Sequence, residues 1–435
     1  LRRQRQMCIR DRCTVVRYLA MNLLKNLLPP ASDPDWRVPA VRMLYCVAGV
    51  MVFAAVVWSP AGTTGSDFDP IWNAVDKYVH GRPVYDEDYS TLDPHYLYSP
   101  GATFLLGPIG WLPGRDIART IMMWLGAASI FVALWLLAAS VAARYRGRVF
   151  AVLVIVACTF DEPVKSTLSL TNINGFLFLL QVLFALLTIK LLARGWRASL
   201  KSWEAVAAGV ILGVAMTIKP QFLALGVVSL LSGHITVLVV AGVFMVGVFA
   251  AGWLTMSQPQ DYLNRLLPYL GQARDYNNGS IEGVGRQLGW SEGAITGATV
   301  AFLVVVGLAL VALWRYKREQ PVVWVYCSLG VLFAGVLMTT GLMQGYYCIW
   351  LLPLIATVVI PGSPARTLLI VVVWWCLVSS AAPPEDLWAP AEAIIRWRSS
   401  LAWVTLPLIM AGMAYWTWPS TTRTAPRSAE VAMLA

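Results

Sequence analysis

Charge is scarce in this chain. Asp, Glu, Lys and Arg make up 13% of its 435 residues, against about a quarter in a soluble protein of ordinary composition. That shortage excludes a typical water-soluble globule. Paired cysteines are also lacking. There are seven Cys but no CxxC and no metal-ligand spacing, so zinc-ribbon and dithiol redox readings fall away. Cys46, Cys158, Cys327, Cys348 and Cys376 lie in or beside apolar blocks and read as buried thiols. No metal site and no cofactor are expected, although an acidic pair near a phosphate site leaves a divalent cation open. No internal repeat and no soluble domain after the last apolar block are visible.

What the chain has instead is 58% hydrophobic residues, gathered in blocks. A crossing helix needs about 20 apolar residues, with a range of about 17 to 25. Crossings are expected near 41–58, 115–143, 148–160, 173–193, 203–218, 220–233, 235–256, 294–314, 321–341, 346–361, 366–383 and 401–418. The blocks 148–160, 203–218 and 220–233 are short enough to be tilted, broken or partly spanning. Trp58, Trp111, Trp314 and Trp418 stand near block ends, where amphipathic rings favour the headgroup level. The fold class expected is an all-α polytopic membrane protein of about twelve crossings.

Loop charge orients the chain. Arg144, Arg146 and Arg148, then Arg194, Arg197 and Lys201, then Arg315, Lys317 and Arg318, and finally Arg423 and Arg427 all fall on one side, with Arg37 and Arg42. The positive-inside rule makes that side cytoplasmic, with both termini. The net charge of +10 therefore sets topology and excludes a nucleic-acid reading. The opening stretch LRRQRQMCIRDRC does not begin with Met and resembles translated sequencing adapter, so residues 1–20 are set aside and a native start near Met21 is expected. No cleavable signal peptide is read in it. Residues 21–40 are expected to be a cytoplasmic lead-in, 41–418 the transmembrane domain and 419–435 a cytoplasmic tail.

The opposite side carries two long loops, 59–114 and 257–293. The first holds seven Asp/Glu against two Lys/Arg, with short helices expected at 70–80 and 101–111. The second short helix is apolar but too short to span, which places it in the outer interface. Chemistry-bearing residues gather on this side. SDFDP holds Asp67 and Asp69; DPHYLYSP holds His95, Tyr96 and Tyr98; TNING holds Asn172 and Asn174; IKP holds Lys219; RDYNNGSIEG holds Arg274, Asp275, Tyr276, Asn277 and Asn278; QGYY holds Gln344, Tyr346 and Tyr347. They either converge on one pocket or are ordinary loop polarity.

Each residue has a bland and a sharp reading. Lys219, between two apolar blocks and before Pro220, is a snorkelling lysine or a functional cation in a cavity opened by the helix break. Asp67 is an interfacial charge or a general base, and Asp69 competes for that role. His95 packs, carries a proton or binds phosphate. Arg274 offers a planar fork and Lys219 a point charge, together a phosphate clamp. The Asn side chains offer neutral partners for sugar hydroxyls.

Taken in order, DFDP, VYDEDYSTLDPHYLYSPGATFLLGPIGWLP, TLSLTNING, IKP, LPYLGQARDYNNGSI and QGYY resemble glycosyltransferase family 87, within the membrane-embedded C-type glycosyltransferases, and in it the arabinofuranosyltransferases of mycobacteria. The resemblance runs from about Asp67 to Tyr347 and weakly through the last crossings. It implies the C-type glycosyltransferase architecture in the plasma membrane, with the active site facing the cell wall. It implies decaprenylphosphoryl arabinofuranose as donor, arabinan of arabinogalactan or lipoarabinomannan as acceptor, and an α-(1→3) branch made with inversion. One carboxylate base suffices for a single displacement. The family pattern Asp-Phe-X-Pro favours Asp67 over Asp69. Lys219, Arg274 and His95 would hold the departing phosphate. Asn172, Asn174, Asp275, Tyr276, Asn277 and Tyr96 would orient sugar hydroxyls, and Gln344, Tyr346 and Tyr347 would line the acceptor groove. Two other readings stay open: a polyprenyl-phosphomannose-dependent mannosyltransferase, and a transporter or flippase of lipid-linked sugar. A transporter would place ionisable residues at the midplane on broken, repeated helices.

Overall fold

The computed structural model describes residues 39–61, 65–91, 94–195, 197, 200–274, 278–379 and 389–417. The expected segments 1–20 and 419–435, the residues Arg37, Arg423 and Arg427, and the site candidates Asp275, Tyr276 and Asn277 lie outside them. Every regular element among the described residues is helical, and none is a strand. The chain is an all-α membrane protein. Among the described residues, seven helices are long and apolar enough to cross a bilayer: Pro39–Trp58, Arg115–Val141, Asn174–Arg194, Ile235–Thr255, Glu292–Leu313, Pro321–Thr339 and Arg398–Trp416. The same residues hold four shorter apolar stretches, Trp203–Ile218, Pro220–Ser232, Gly345–Val359 and Leu368–Val378.

The elements that position the site are, in order, α1 (Pro39–Phe53), α2 (Phe68–Val79), α3 (Pro100–Leu106), α4 (Arg115–Val141), α5 (Arg146–Cys158), α6 (Asn174–Arg194), α7 (Trp203–Ile218), α8 (Leu223–Ser232), α9 (Ile235–Thr255), α10 (Ile281–Gln287), α11 (Glu292–Leu313), α12 (Pro321–Thr339), α13 (Leu368–Val378) and α14 (Arg398–Trp416). α12 is enclosed on nearly all sides, whereas α9 and α11 turn most of their apolar residues outward. That inversion, apolar residues facing out, is what a lipid solvent permits.

The stretch expected as a continuous crossing at 346–361 is instead broken. It runs as a 3-10 segment Gly345–Leu351, a single turn Leu352–Ala356 and a second 3-10 piece Thr357–Val359. Pro353 has no N–H to return to the preceding turn, so the chain tightens before it. Gln181 on α6 anchors this stretch by donating to the Trp350 carbonyl at 2.8 Å. The block expected at 366–383 is helical over the 11 residues Leu368–Val378, and that expected at 148–160 over the 13 residues Arg146–Cys158.

Small residues let helices approach. Gly209 and Gly213 on α7 meet Val237, Val240, Ala241 and Phe244 of α9, the four-residue spacing that brings membrane helices together. The two helices run parallel, because higher numbers on one face higher numbers on the other. α3 starts at a Ser99 N-cap, whose side chain accepts from the Ala102 N–H, with Pro100 in the first turn. It seats on the end of α9 through Gly252, where an added Cβ would lie 2.1 Å from the Pro100 carbonyl oxygen. The 3-10 turn Gly107–Trp111 then packs on α2, with Gly110 against the Val75 carbonyl.

The arginine-rich loops gather at the other end. Arg194 pairs with buried Glu204 at 2.7 Å, joining the end of α6 to the start of α7. Lys317 donates to the Leu231 carbonyl at the end of α8 at 2.7 Å.

Candidate active site

Asp67 is the residue just before α2, and its side chain does not cap that helix. The carboxylate is therefore free for long-range partners. Asn172 donates to it from Nδ2 at 3.3 Å, and the Tyr346 hydroxyl donates as well. Burial pushes the Asp67 carboxyl up from its ordinary value; Asn172, Lys219, Tyr346 and Arg274 oppose that rise. Desolvation thus outweighs four favourable neighbours, which makes the group a stronger base than a solvated aspartate.

The TNING turn presents its two asparagines through backbone geometry. Thr171 has φ +54, a left-handed conformation that a β-branched residue rarely adopts. The Asn172 side-chain Oδ1 accepts from the backbone N–H of Asn174, the first residue of α6, at 3.1 Å. Arg119 of α4 braces the turn from below, donating to the Thr171 hydroxyl at 3.3 Å and the Ser169 carbonyl at 3.3 Å. The same guanidinium lies against Gly65, where any Cβ would collide with it. One arginine therefore supports both the Asp67 and the Asn172 segments.

Lys219 stands where Pro220 ends α7, in extended backbone. Its Nζ donates to Asn174 Oδ1 at 2.8 Å and to the Tyr347 hydroxyl at 3.4 Å. It also lies 4.5 Å from the Tyr347 ring centroid, and that ring stacks on Trp350 at 4.7 Å. Aromatic faces help carry a cation withdrawn from water. Thr217 and Phe249 both neighbour Gly101, while α9 continues six residues further, to Thr255. Lys219, two residues beyond Thr217, is thus recessed by roughly 6 Å beneath the end of α9 at 1.5 Å per residue. The sequence left it as a snorkelling lysine or a cation in a cavity opened by the helix break; the early stop at Pro220 sets it below the rim.

Arg274 donates to the Tyr269 hydroxyl at 3.2 Å, and its charge reaches Asp67. Asn278 pins this loop. Its Nδ2 donates to the Arg274 and Gly341 carbonyls at 3.0 and 2.9 Å, and its Oδ1 accepts from the Met343 and Ser280 N–H groups at 2.9 and 3.1 Å. With both amide atoms engaged by backbone, Asn278 is a scaffold residue and not the sugar contact its type suggests. It holds the 274 loop beside Gln344, which opens the 3-10 stretch carrying Tyr346 and Tyr347.

Three expected residues sit apart from Lys219. Asp69 lies in the first turn of α2, where Arg115 donates to it from Nε at 2.6 Å. His95 packs between Tyr89 and Tyr269, its Nδ1 is 3.4 Å from Glu87 and its Nε2 is 3.1 Å from the Thr91 carbonyl. It touches the site through Tyr269, the partner of Arg274. Tyr96 is fully buried, with its hydroxyl 2.9 Å from that of Thr103. Its role in the fold is to pack the first long loop.

Glu162 was not singled out from sequence. It follows α5 in the helical turn Asp161–Lys165, which packs against Gly345–Leu351. Burial raises its carboxyl to about 7; Ser166 opposes, and Asp161 and Asp67 add to the rise. Its signal was an acid before a proline at the end of an apolar block, on the face that holds Asn172. Among the described residues, no group of three or more His, Cys, Asp or Glu could hold a metal ion.

These features define a multi-pass helical membrane protein with a desolvated carboxylate set beside a recessed cation. Residues 96–340 match the model of glycosyltransferase family 87. The chain is 34% identical over 350 residues, 80% of its length and 78% of the relative's, to an alpha-(1->3)-arabinofuranosyltransferase of Mycobacterium tuberculosis. It is 33% identical over 301 residues, 68% of each chain, to one of Corynebacterium glutamicum, and 32% identical over 358 residues, 80% of its length and 79% of the relative's, to one of Mycolicibacterium smegmatis. No solved structure matches it. The chain belongs to glycosyltransferase family 87 and is a membrane-embedded glycosyltransferase.

Proposed function

We propose that this enzyme transfers D-arabinofuranose from decaprenylphosphoryl arabinofuranose to an arabinan, making α-(1→3) branches in arabinogalactan or lipoarabinomannan. The names of the relatives support the sugar and the linkage. The observation that carries the chemistry is the placing of Asp67 within the field of both Lys219 and Arg274.

The reaction is a single displacement. An acceptor hydroxyl oxygen bonds to the anomeric carbon as the bond from that carbon to the phosphate oxygen breaks. The electron pair leaves with the phosphate, and the hydroxyl proton passes to Asp67. Lys219 and Arg274 offset the charge gained by the phosphate, the largest contribution such a site makes. Asn174, whose Nδ2 is buried without a partner among the described residues, contacts a sugar hydroxyl. Asp275, Tyr276 and Asn277 belong to the same substrate-binding set, and no cofactor takes part.

Topology agrees with a donor delivered from the lipid. The chain crosses the plasma membrane about twelve times, with both termini at the arginine-rich cytoplasmic end and the site at the other, facing the cell wall. A cavity of about 330 Å³ between the end of the first span and α4 has Val56, Val57, Met123 and Trp124 on one part of its wall, against which the prenyl chain would lie, and Asp116, Arg119 and Thr120 on another.

The test is a reconstituted transfer assay with radiolabelled prenyl-phosphate arabinose and a synthetic arabinan acceptor. Label appearing in an α-(1→3) branch is the expected result. Label moving only from a mannose donor overturns the sugar. Lipid moving between leaflets without bond cleavage overturns the enzyme chemistry in favour of transport.

A further inference from the structure

The site contains a second carboxyl that the displacement does not use. Glu162 has extended backbone (φ −90, ψ 149) inside the turn Asp161–Lys165. Its Oε1 lies close to Gly345, where an added Cβ would come within 3.4 Å. Its Oε2 is buried and has no hydrogen-bond partner among the described residues. A buried oxygen left in that state destabilises the empty protein. Kept beside a reacting group, it points to a polar ligand that completes it.

The side on which that ligand sits follows from the base. In a displacement with inversion, the attacking oxygen and the departing phosphate lie on opposite faces of the anomeric carbon. The base takes its proton from the attacking oxygen, so Asp67 marks the face of attack. The segment that Glu162 touches, Gly345–Leu351, supplies Tyr346 to Asp67.

We infer that Glu162 is a positioning residue for the acceptor, its carboxyl group hydrogen-bonding a sugar hydroxyl of the arabinan beside the one that attacks. The inference rests on the transfer reaction proposed above. The groups that act on Glu162 are Asp67, Asp161 on its own turn, Ser166 just after that turn and Cys348 on the packed 3-10 stretch. Lys165, on the same turn, directs its Nζ to the Thr159 carbonyl. Below pH about 7 the neutral acid is the resident form. It donates to the sugar and adds no second negative charge beside the base.

The experiment measures acceptor KM, kcat and donor affinity for the wild type, Glu162→Ala and Glu162→Gln in detergent or nanodiscs, from acid to alkaline pH. Glu162→Ala is expected to raise acceptor KM about tenfold, the worth of one hydrogen bond, with donor affinity unchanged. Glu162→Gln, which still donates, is expected to restore KM. In the wild type, acceptor KM should climb as pH rises through about 7, and Glu162→Gln should flatten that climb. Wild-type KM and pH profile in Glu162→Ala overturn the inference, as does equal failure of Ala and Gln variants with normal melting temperatures. Absence of transfer by the wild type overturns the reaction itself and the acceptor role with it, a result distinct from failure of the variants alone.

Discussion

Asn172 and Asp67, 105 residues apart, meet through one hydrogen bond of 3.3 Å from the amide to the carboxylate. The other end of the same amide starts α6 by accepting from Asn174. The proposed base is thereby tied to a helix terminus, and its orientation does not depend on its own loop.

Asn172→Ala should cut kcat on the order of tenfold to a hundredfold, the effect of losing a hydrogen bond to a charged group. Donor affinity should hold. Steady-state kinetics with a separate binding measurement checks this, and an unchanged kcat contradicts the tie.

Asp67→Asn should lower kcat by about 10² to 10⁴, the range for a lost general base, while the donor still binds. Asp69→Asn should stay close to wild type, because its partner Arg115 is part of a half-exposed surface pair worth about 0–1 kcal/mol. Full activity in Asp67→Asn would transfer the role to Asp69.

The same carboxylate predicts the acid side of the pH profile. The base acts when deprotonated, and burial raises its folded-state value above the ordinary 3.8. Activity should therefore be lost as pH falls through that raised value. A profile of kcat against pH that stays flat down to 3.8 would contradict the desolvated site.

Lys219→Ala should weaken donor binding on the order of thirtyfold or more, since truncating one partner of a buried charge pair is costly. Lys219→Arg should not rescue it. A planar guanidinium does not match the slot between Asn174 and the Tyr347 ring, which fits a compact ammonium. Titration with the donor lipid, read by tryptophan fluorescence, distinguishes the two.

Gly252→Ala should unseat α3 from α9, because the new Cβ meets the Pro100 carbonyl. Overpacking of this kind costs about 1–3 kcal/mol. A lower melting temperature in detergent, with loss of transfer, is the expected outcome.

Sequence alone determined the solvent of this fold, its helical class and the loops that bear the chemistry. Apolar block length, arginine placement and the polar motifs are local properties, and local properties are legible in one dimension. It also paired Lys219 with Arg274 by residue type, and left Asp67 and Asp69 in competition until the family resemblance favoured Asp67. The tertiary structure decided which polar residues gather around Asp67 and which are engaged elsewhere. Asp69, Tyr96 and Asn278 have the right chemistry and the right loops, yet Arg115, Thr103 and four backbone groups engage them. Hydrogen-bond capacity is finite, and only three-dimensional packing shows where it is used. Structure alone also revealed Glu162, because its burial and its nearness to Asp67 arise from the contact of two turns some 180 residues apart. The depth of Lys219 was likewise settled by packing. Pro220 dictated that α7 stops, but only the parallel seating of α7 on α9 shows how far below the rim.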